Sequence, residues 1–415
     1  MKKRISEKHL FQKLFVFALI GLTFKLMVMA QTSEGLFVNF SQTEKVKVEI
    51  SAGNKLFQPA YSALVARAEL ALADKPYSVM QKKQVPPSGD KHDYLSLAPY
   101  WWPDSTKTNG LPYIRKDGKV NPDYSGDNVD VPARGKFISN VETLTWAYYF
   151  SGEKKYAEKA VELLKVWFIN QETRMNPSLN YAQGIPGKCD GRGIGIIDWS
   201  GMYVLISSIQ ILDSHGFLRT QIKQPLFLWF KEYLDWLQNS KYGKEIDDSA
   251  KNNHATWFDV QVAGIALLLG ENTIAQTRLE KTKFKRIATQ IDPDGSQPHE
   301  LARTKSLSYT VMNLRGFILL AILAEQVNVD LWNFETPDGR SILKAMNYLI
   351  PYVSKEKEWT YPQISGTKNE WGEIRHLFRI AYLKTGTLSF KTIAESGEMN
   401  KEDIRYLLYP TFNEK

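Results

Sequence analysis

The stretch Lys251-Asn252-Asn253-His254-Ala255-Thr256-Trp257 opens an otherwise apolar run of the chain. After it, apolar residues recur at Phe258, Val262, Ile265 and Leu269, which is the spacing of one face of a helix. Two amides and an imidazole are an unusual start for a core helix. The pattern therefore predicts a buried helix whose first turn carries polar groups.

These polar groups have two interpretations. In the first, His254 is a core histidine that hydrogen-bonds to backbone, and Asn252 or Asn253 caps the helix. In the second, His254 is an uncharged polar group held beside a substrate. A second polar cluster, over residues 297–309, contains Gln297, Glu300, Arg303 and Tyr309 and favours the second interpretation.

Composition limits the class of protein. The chain has 415 residues, of which 43% are hydrophobic, enough for a large core. Its net charge of +8 suits a polyanionic partner, and its 11 Trp and 20 Tyr suit sugar rings better than nucleic acid, for which no binding motif is present. Cys189 is the single cysteine, which excludes an intrachain disulfide and a thiolate zinc site.

The N-terminus resembles a secretory leader. Basic residues precede an apolar run over 14–24, and small residues follow near Ala30, as in a signal peptide spanning 1–30. Lys25 shortens the run below the length of a membrane span. We therefore expect an exported protein, periplasmic or secreted, without stable membrane insertion and monomeric, whose mature chain forms one domain over 31–415.

Helical periodicity dominates after the first hundred residues. We predict an extended lead-in or a short strand pair over 32–56, and N-capping of the 249–270 helix by residues 247–249. The predicted helices cover 58–74, 135–151, 154–170, 198–213, 223–239, 249–270, 272–290, 305–326, 338–352 and 369–385, with two shorter ones after 388 and 401. So many antiparallel helix hairpins predict an all-α fold, an (α/α) toroid or incomplete barrel.

Two segments interrupt the helices. Residues 77–133 are rich in Pro, Gly and aromatic residues, and we interpret this long aromatic loop region as a lid or groove wall. Residues 180–195 contain five glycines without a phosphate-binding spacing, which predicts a groove-lining loop.

Asn253, His254, Arg303 and Tyr309 together suit the β-elimination of a uronate. This reaction requires neutralisation of the C6 carboxylate, removal of H5 and protonation of the departing O4. Asn and Arg can stabilise the carboxylate, and His and Tyr can act as base and acid. We expect the nearby positive charge to lower the pKa of the tyrosine. No metal or cofactor is needed for this chemistry.

Several motifs together resemble the alginate-lyase superfamily of polysaccharide lyases. They are Asn252-Asn253-His254 with Trp257, the 297–309 cluster, Pro99-Tyr100-Trp101-Trp102-Pro103 with Gly110-Leu111-Pro112-Tyr113, and Tyr181-Ala182-Gln183 with Ile185-Pro186-Gly187. The resemblance covers roughly 90–385 and implies an (α/α) toroid. It also implies that Asn253 and Arg303 neutralise the carboxylate, that His254 assists proton abstraction, and that Tyr309 is base, acid or both.

Further residues are expected to contact the acidic polysaccharide. They are Tyr100, Trp101, Trp102, Gln183, Arg192, Asn252, Trp257, Gln297, Glu300 and Asn313. The histidine that assists catalysis stays open among His254, His299 and His376. The Arg303-to-Tyr309 spacing is one residue shorter than in well-known alginate lyases, which bears on the substrate more than on the mechanism.

The substrate is narrowed by stereochemistry. In mannuronate and glucuronate H5 and O4 lie on the same side, so one tyrosine can take the proton and return it, which favours polymannuronate or glucuronan. Two other classes stay open. A glycoside hydrolase would need paired carboxylates, for which Asp259, Glu300, Glu370 and Glu373 are available. A non-catalytic glycan-binding protein would need only the aromatic and basic residues.

Overall fold

The computed structural model describes residues 35–397 and 400–411. The predicted signal peptide, 1–30, and the first residues of the predicted 31–415 domain lie outside these ranges. Within them the chain forms 16 α-helices and four short strands, which confirms the all-α prediction.

The helices follow one another with mostly short connections. They are α1 Phe40–Ser51, α2 Gln58–Ala73, α3 Val131–Ser151, α4 Lys154–Phe168, α5 Met202–Ser214, α6 Thr220–Asn239, α7 Lys241–Ser249, α8 Asn253–Leu269, α9 Asn272–Thr282, α10 Ala288–Gln290, α11 Pro298–Leu301, α12 Ser306–Glu325, α13 Ile342–Val353, α14 Lys368–Thr385, α15 Leu388–Glu395 and α16 Arg405–Leu408.

The helices form two layers, as expected for a toroid. Helix α8 buries 13 of its 17 residues and α12 buries 15 of its 20, so both are covered on all sides. By contrast α6 buries six of its 20 residues, along one stripe, as an outer helix does. Helix α8 packs against α5, α6, α9 and α12, which places it in the inner layer.

Helix α12 is also long and apolar enough to cross a membrane. It is the one helix among the described residues that passes this test by itself, and the 3₁₀ segment Gly193–Trp199 passes it together with α5 as a bent pair. Since 78% of the tested window of α12 is buried inside the protein, burial in the core accounts for its hydropathy.

The extended lead-in predicted over 32–56 was wrong, because residues 40–51 form α1. The alternating valines had suggested a strand, but Val46 and Ile50 are buried one helical turn apart while Val48 is 62% exposed. Asn39 caps the helix, its side chain accepting a hydrogen bond from the backbone N of Gln42 at 3.0 Å.

The start of α8 also differs from the prediction. Residues 247–249 do not cap it, because they end the additional helix α7. The N-cap is Asn252, whose Oδ1 accepts from the backbone N of His254 at 3.4 Å. The predicted 272–290 helix is interrupted by a π-helical turn, Lys283–Ile287.

The long segment 77–133 is held in place by two small sheets. Strand β1, Leu95–Leu97, pairs in parallel with β4, Tyr181–Gly184, and thereby joins the segment to the glycine-rich loop. Strand β2, Trp101–Trp102, pairs antiparallel with β3, Ile114–Arg115. The segment lies over the N-terminal ends of α8 and α12, where the polar clusters are.

A buried ion-pair cluster joins α7, α8 and α9. Asp259 of α8, 1% exposed, accepts hydrogen bonds from Arg286 Nε at 3.0 Å and from Arg278 Nη1 at 3.3 Å. Asp247 pairs with the same two arginines at 2.8 and 2.6 Å. Asp259 is therefore a structural carboxylate and is not available as a hydrolase acid.

We expect Asp259→Ala to destabilise the fold by ~3–5 kcal/mol, because it removes the more buried of the two carboxylates that pair with Arg278 and Arg286. Urea denaturation measures the change. The matched control is Glu280→Ala, which removes an exposed i,i+3 pair with Lys283 and should cost ~0–1 kcal/mol. Equal losses in the two variants would contradict a structural role for the buried cluster.

Candidate active site

A cavity of about 680 Å³ lies where the N-terminal ends of α8 and α12 meet the 77–133 segment. All four residues predicted to be catalytic, Asn253, His254, Arg303 and Tyr309, line it. The two sequence clusters are thus brought together, as one reacting centre requires.

Asn253 is held at the first turn of α8 by Glu300. One carboxylate oxygen of Glu300 accepts from the backbone N of Asn253 at 2.7 Å, and both accept from its Nδ2, at 3.0 and 2.9 Å. Burial raises the pKa of Glu300 to about 7, although Asn253 and Arg303 act in the opposite direction. The Asn253 amide nitrogen is therefore not free for a substrate carboxylate alone, as the sequence had suggested, but is shared with Glu300.

His254 follows Asn253 and lines the cavity with an uncharged ring. Burial, reinforced by the nearby charges of Arg303, Arg192 and Arg115, lowers the pKa of His254 to about 3. Its Nδ1 is buried and makes no hydrogen bond with the described residues. At neutral pH the imidazole therefore carries no charge and can accept a hydrogen bond.

Arg303 and Tyr309 form a pair in which the guanidinium lies over the phenol ring. Arg303 Nη2 donates to the Tyr309 hydroxyl at 2.9 Å, and the guanidinium carbon is 3.9 Å from the ring centroid. The Tyr309 hydroxyl in turn donates to the hydroxyl of Tyr100 at 2.6 Å. The 77–133 segment thereby contacts the predicted proton-transfer group directly.

The expectation of a lowered tyrosine pKa was wrong. Burial raises the pKa of Tyr309, the contact with Tyr100 raises it further, and Arg303 offsets only part of this. In the free protein Tyr309 is therefore a protonated phenol. It is ready to donate a proton, and it must lose its own before it can accept one.

The glycine-rich loop supplies a second part of the cavity wall. The Gln183 Nε2 donates to Asp198 at 2.8 Å, and its Oε1 accepts from Arg192 Nη2 at 3.0 Å. Gln183 takes a positive φ of 51°, a strained conformation of the kind found at functional sites. Burial lowers the pKa of Arg192 to about 10, so Arg192 remains cationic at neutral pH.

The charge of the cavity is strongly positive. Five cationic side chains line it against one carboxylate, that of Asp198. The cations are Arg115, Arg134, Arg192, Lys251 and Arg303. Asp198 is itself occupied, accepting from Ser96 Oγ at 2.5 Å and from the Tyr94 hydroxyl at 3.1 Å. Such a lining favours an anionic ligand.

The residues predicted to contact substrate fall into two groups. Five line the cavity, namely Tyr100, Trp101, Gln183, Arg192 and Asn252. The Trp101 ring has the Lys188 Nζ 4.4 Å from its centroid, which places a further cation at the rim.

The other five, Trp102, Trp257, Gln297, Glu300 and Asn313, do not line the cavity, so for them a contact with substrate stays a prediction. The Asn313 Nδ2 donates to Gln297 at 2.8 Å, and both side chains are at most 1% exposed. The indole of Trp257 donates to the Met312 carbonyl oxygen, and that of Trp102 to the Lys119 carbonyl oxygen. These side chains support the wall from behind or lie outside it.

The sequence analysis missed Arg115, Asp117, Arg134 and Asp198. Arg115 and Asp117 stand in a charged turn of the 77–133 segment, which is the signal that could have suggested them. Of the three candidate histidines, His254 and His299 line the cavity, whereas His376 lines a separate one. No group of three or more metal-ligating side chains occurs among the described residues.

Comparison with known proteins gives consistent results. The family model described as alginate lyase matches residues 78–359. An alginate lyase of known structure from Bacteroides ovatus is 38% identical, with 92% of this chain and 100% of that chain covered and a TM-score of 0.87.

More distant relatives share the fold. Alginate lyase A1-III from Sphingomonas species A1 is 15% identical over 85% of this chain and 96% of that one, with a TM-score of 0.54. A variant of that enzyme was solved in complex with a tetrasaccharide and has a TM-score of 0.55. An alginate lyase from Pseudomonas syringae pv. tomato is 24% identical over 178 residues, 42% of this chain and 45% of that relative.

The match to the Pseudomonas protein spans less than half of its length, whereas the family model covers more than half of the present chain. The all-α toroid agrees with the match to the family model. This chain belongs to the alginate lyase family of polysaccharide lyases.

Proposed function

We propose that this protein cleaves a 1,4-linked polyuronate by β-elimination, and that its preferred substrate is the polymannuronate of alginate. The observation that carries the proposal is the Arg303–Tyr309 pair beside the neutral imidazole of His254, in a cavity lined by five cations. From the sequence alone we also propose that the protein acts after export, in the periplasm or the medium.

In this mechanism Arg303 binds the C6 carboxylate and stabilises the charge that develops on it when H5 leaves. The Nη1 of Arg303 makes no hydrogen bond with the described residues, so it is the nitrogen that can donate to the C6 carboxylate. The C5–H bond breaks, a C4=C5 double bond forms and the C4–O4 bond breaks. Asn253 and His254 lie beside the same centre and orient the uronate.

Tyr309 carries the proton from C5 to O4. Because its phenol is protonated in the free protein, it first passes its proton to the Tyr100 oxygen, 2.6 Å away, and Tyr100 releases its own to water. The phenolate takes H5 and returns it to O4 on the same side of the sugar. This geometry suits mannuronate and glucuronate alike, and glucuronan is the alternative substrate.

The cavity gives little support to a glycoside hydrolase. Among the described residues Asp198 is the one carboxylate that lines it, whereas a hydrolase requires a pair flanking the bond.

The proposal is tested by incubating the protein with polymannuronate, polyguluronate, glucuronan and a glycosaminoglycan panel. We expect new ultraviolet absorbance with polymannuronate, because only elimination leaves a conjugated 4,5-unsaturated uronate. Reducing ends without absorbance would indicate a hydrolase, and binding without either product would indicate a glycan-binding protein.

Tyr309→Phe keeps the ring and removes the proton-transfer group. We expect kcat to fall by about two to four orders of magnitude while oligouronate affinity stays within a few-fold. Steady-state kinetics and calorimetry measure the two effects. Tyr148→Phe, outside the cavity, is the matched control, and near-normal turnover of Tyr309→Phe would refute the mechanism.

Activity should fall as the pH drops below about 7, because the pKa of Glu300 is raised to about 7 and only its ionised form accepts all three hydrogen bonds from Asn253. We expect Glu300→Gln to lower kcat/KM near pH 8 and to lose this acidic limb. A pH profile of kcat/KM measures both. An unchanged limb in the variant would assign it to another group.

A further inference from the structure

Asp117 contacts the catalytic arginine through both of its oxygens. It follows strand β3 in the 77–133 segment, 186 residues before Arg303 in the chain. Its Oδ1 accepts from Arg303 Nη2 at 2.8 Å and its Oδ2 from Arg303 Nε at 3.2 Å. This two-point contact fixes the plane of the guanidinium as well as its position.

The backbone around Asp117 is shaped for this contact. Gly118 takes a φ of +72°, which residues other than glycine rarely adopt. A Cβ at this position would lie 2.4 Å from Thr304 Oγ1. The same Thr304 hydroxyl donates to Asp117 Oδ2 at 3.0 Å. The turn therefore packs directly on the residue that follows Arg303.

Asp117 leaves one nitrogen of the Arg303 guanidinium available to the substrate. With Nε and Nη2 taken by Asp117, and Nη2 also donating to Tyr309, the remaining nitrogen is Nη1. An arginine side chain otherwise loses much of its rotamer freedom when it is fixed. Holding it before substrate binds removes that cost from the reaction.

Asp117 could instead compete with the substrate carboxylate for Arg303. The contacts favour positioning, because Asp117 is also held by Thr304 and by Arg115, whose Nη2 lies at 2.6 Å. Burial acts to raise the pKa of Asp117, but hydrogen bonds from Arg303 and Arg115 outweigh it and hold the pKa well below its usual range. Its carboxylate thus stays charged and fixed.

We infer that Asp117 is a positioning residue of the elimination reaction, which aligns Arg303 so that Nη1 meets the substrate carboxylate while Nη2 contacts Tyr309. The inference rests on the proposed function. It assigns to the 77–133 segment a part of the catalytic geometry in addition to its place in the cavity wall.

The test is steady-state kinetics of Asp117→Asn on the polyuronate that the wild type cleaves fastest. The asparagine keeps the size of the side chain but loses the charge and one acceptor. We expect kcat to fall by about 10- to 100-fold, as for a small misplacement of a catalytic group, and KM to change less. Gly118→Ala, which displaces Asp117 without removing its charge, should act in the same direction.

Two controls separate positioning from a general loss of structure. Asp127→Asn, in the same segment and in an exposed pair with Lys83, should leave kcat and KM unchanged. In an Arg303→Lys background Asp117→Asn should have little further effect on kcat, because the group it aligns is gone. Thermal unfolding of each variant reports how much protein is folded.

The outcomes decide between the alternatives. Three results would overturn the inference while leaving the lyase activity intact. They are a normal kcat in folded Asp117→Asn, a lower KM with a higher kcat in that variant, and a loss of kcat in the Arg303→Lys background as large as in the wild type. A wild type that cleaves none of the polyuronates would overturn the proposed function, and this inference with it.

Discussion

The geometry of the cavity depends on the buried carboxyl group of Glu300. It satisfies the backbone N–H of the first residue of α8, one of the groups that a helix leaves without an internal partner. A carboxylate at this place is also favoured by the positive end of the helix dipole. Because Arg303 follows Glu300 by three residues and His254 follows Asn253 directly, the same contact holds His254 and Arg303 at one cavity.

Around this contact, the groups that move protons are kept neutral and the groups that bind anions are kept charged. Burial lowers the pKa of His254 and raises that of Tyr309, so both are uncharged at neutral pH. Arg192 remains cationic despite burial. An anionic sugar therefore meets positive charge from the arginines, while the imidazole of His254 and the phenol of Tyr309 stay neutral.

The sequence predicted the features that depend on local pattern. Apolar residues at helical spacing gave the inner helices α8 and α12, and the toroid followed from the number of hairpins. Helix α1 was missed because Val46 and Val48 alternate with polar residues, as in a strand. In the structure Val46 is buried and Val48 is exposed on the outer face of the helix.

Within the two polar clusters, sequence alone could not separate groove residues from the network behind them. Asn313 and Gln297 bond to each other in the core, whereas Arg303, in the same cluster, faces the cavity. Asp198 reaches the site only through tertiary packing, and for Asp117 the charged turn around it does not indicate that it contacts Arg303.

The cationic lining also governs how dissolved salt affects the protein. At physiological ionic strength a charge is screened within ~8 Å, so the five cations act on a polymer segment only when it is already near the opening. Encounter with a polyanion is the step most sensitive to this screening. Rising ionic strength should slow capture of the polymer, while the proton transfer, which takes place between groups in direct contact within the cavity, proceeds at nearly the same rate.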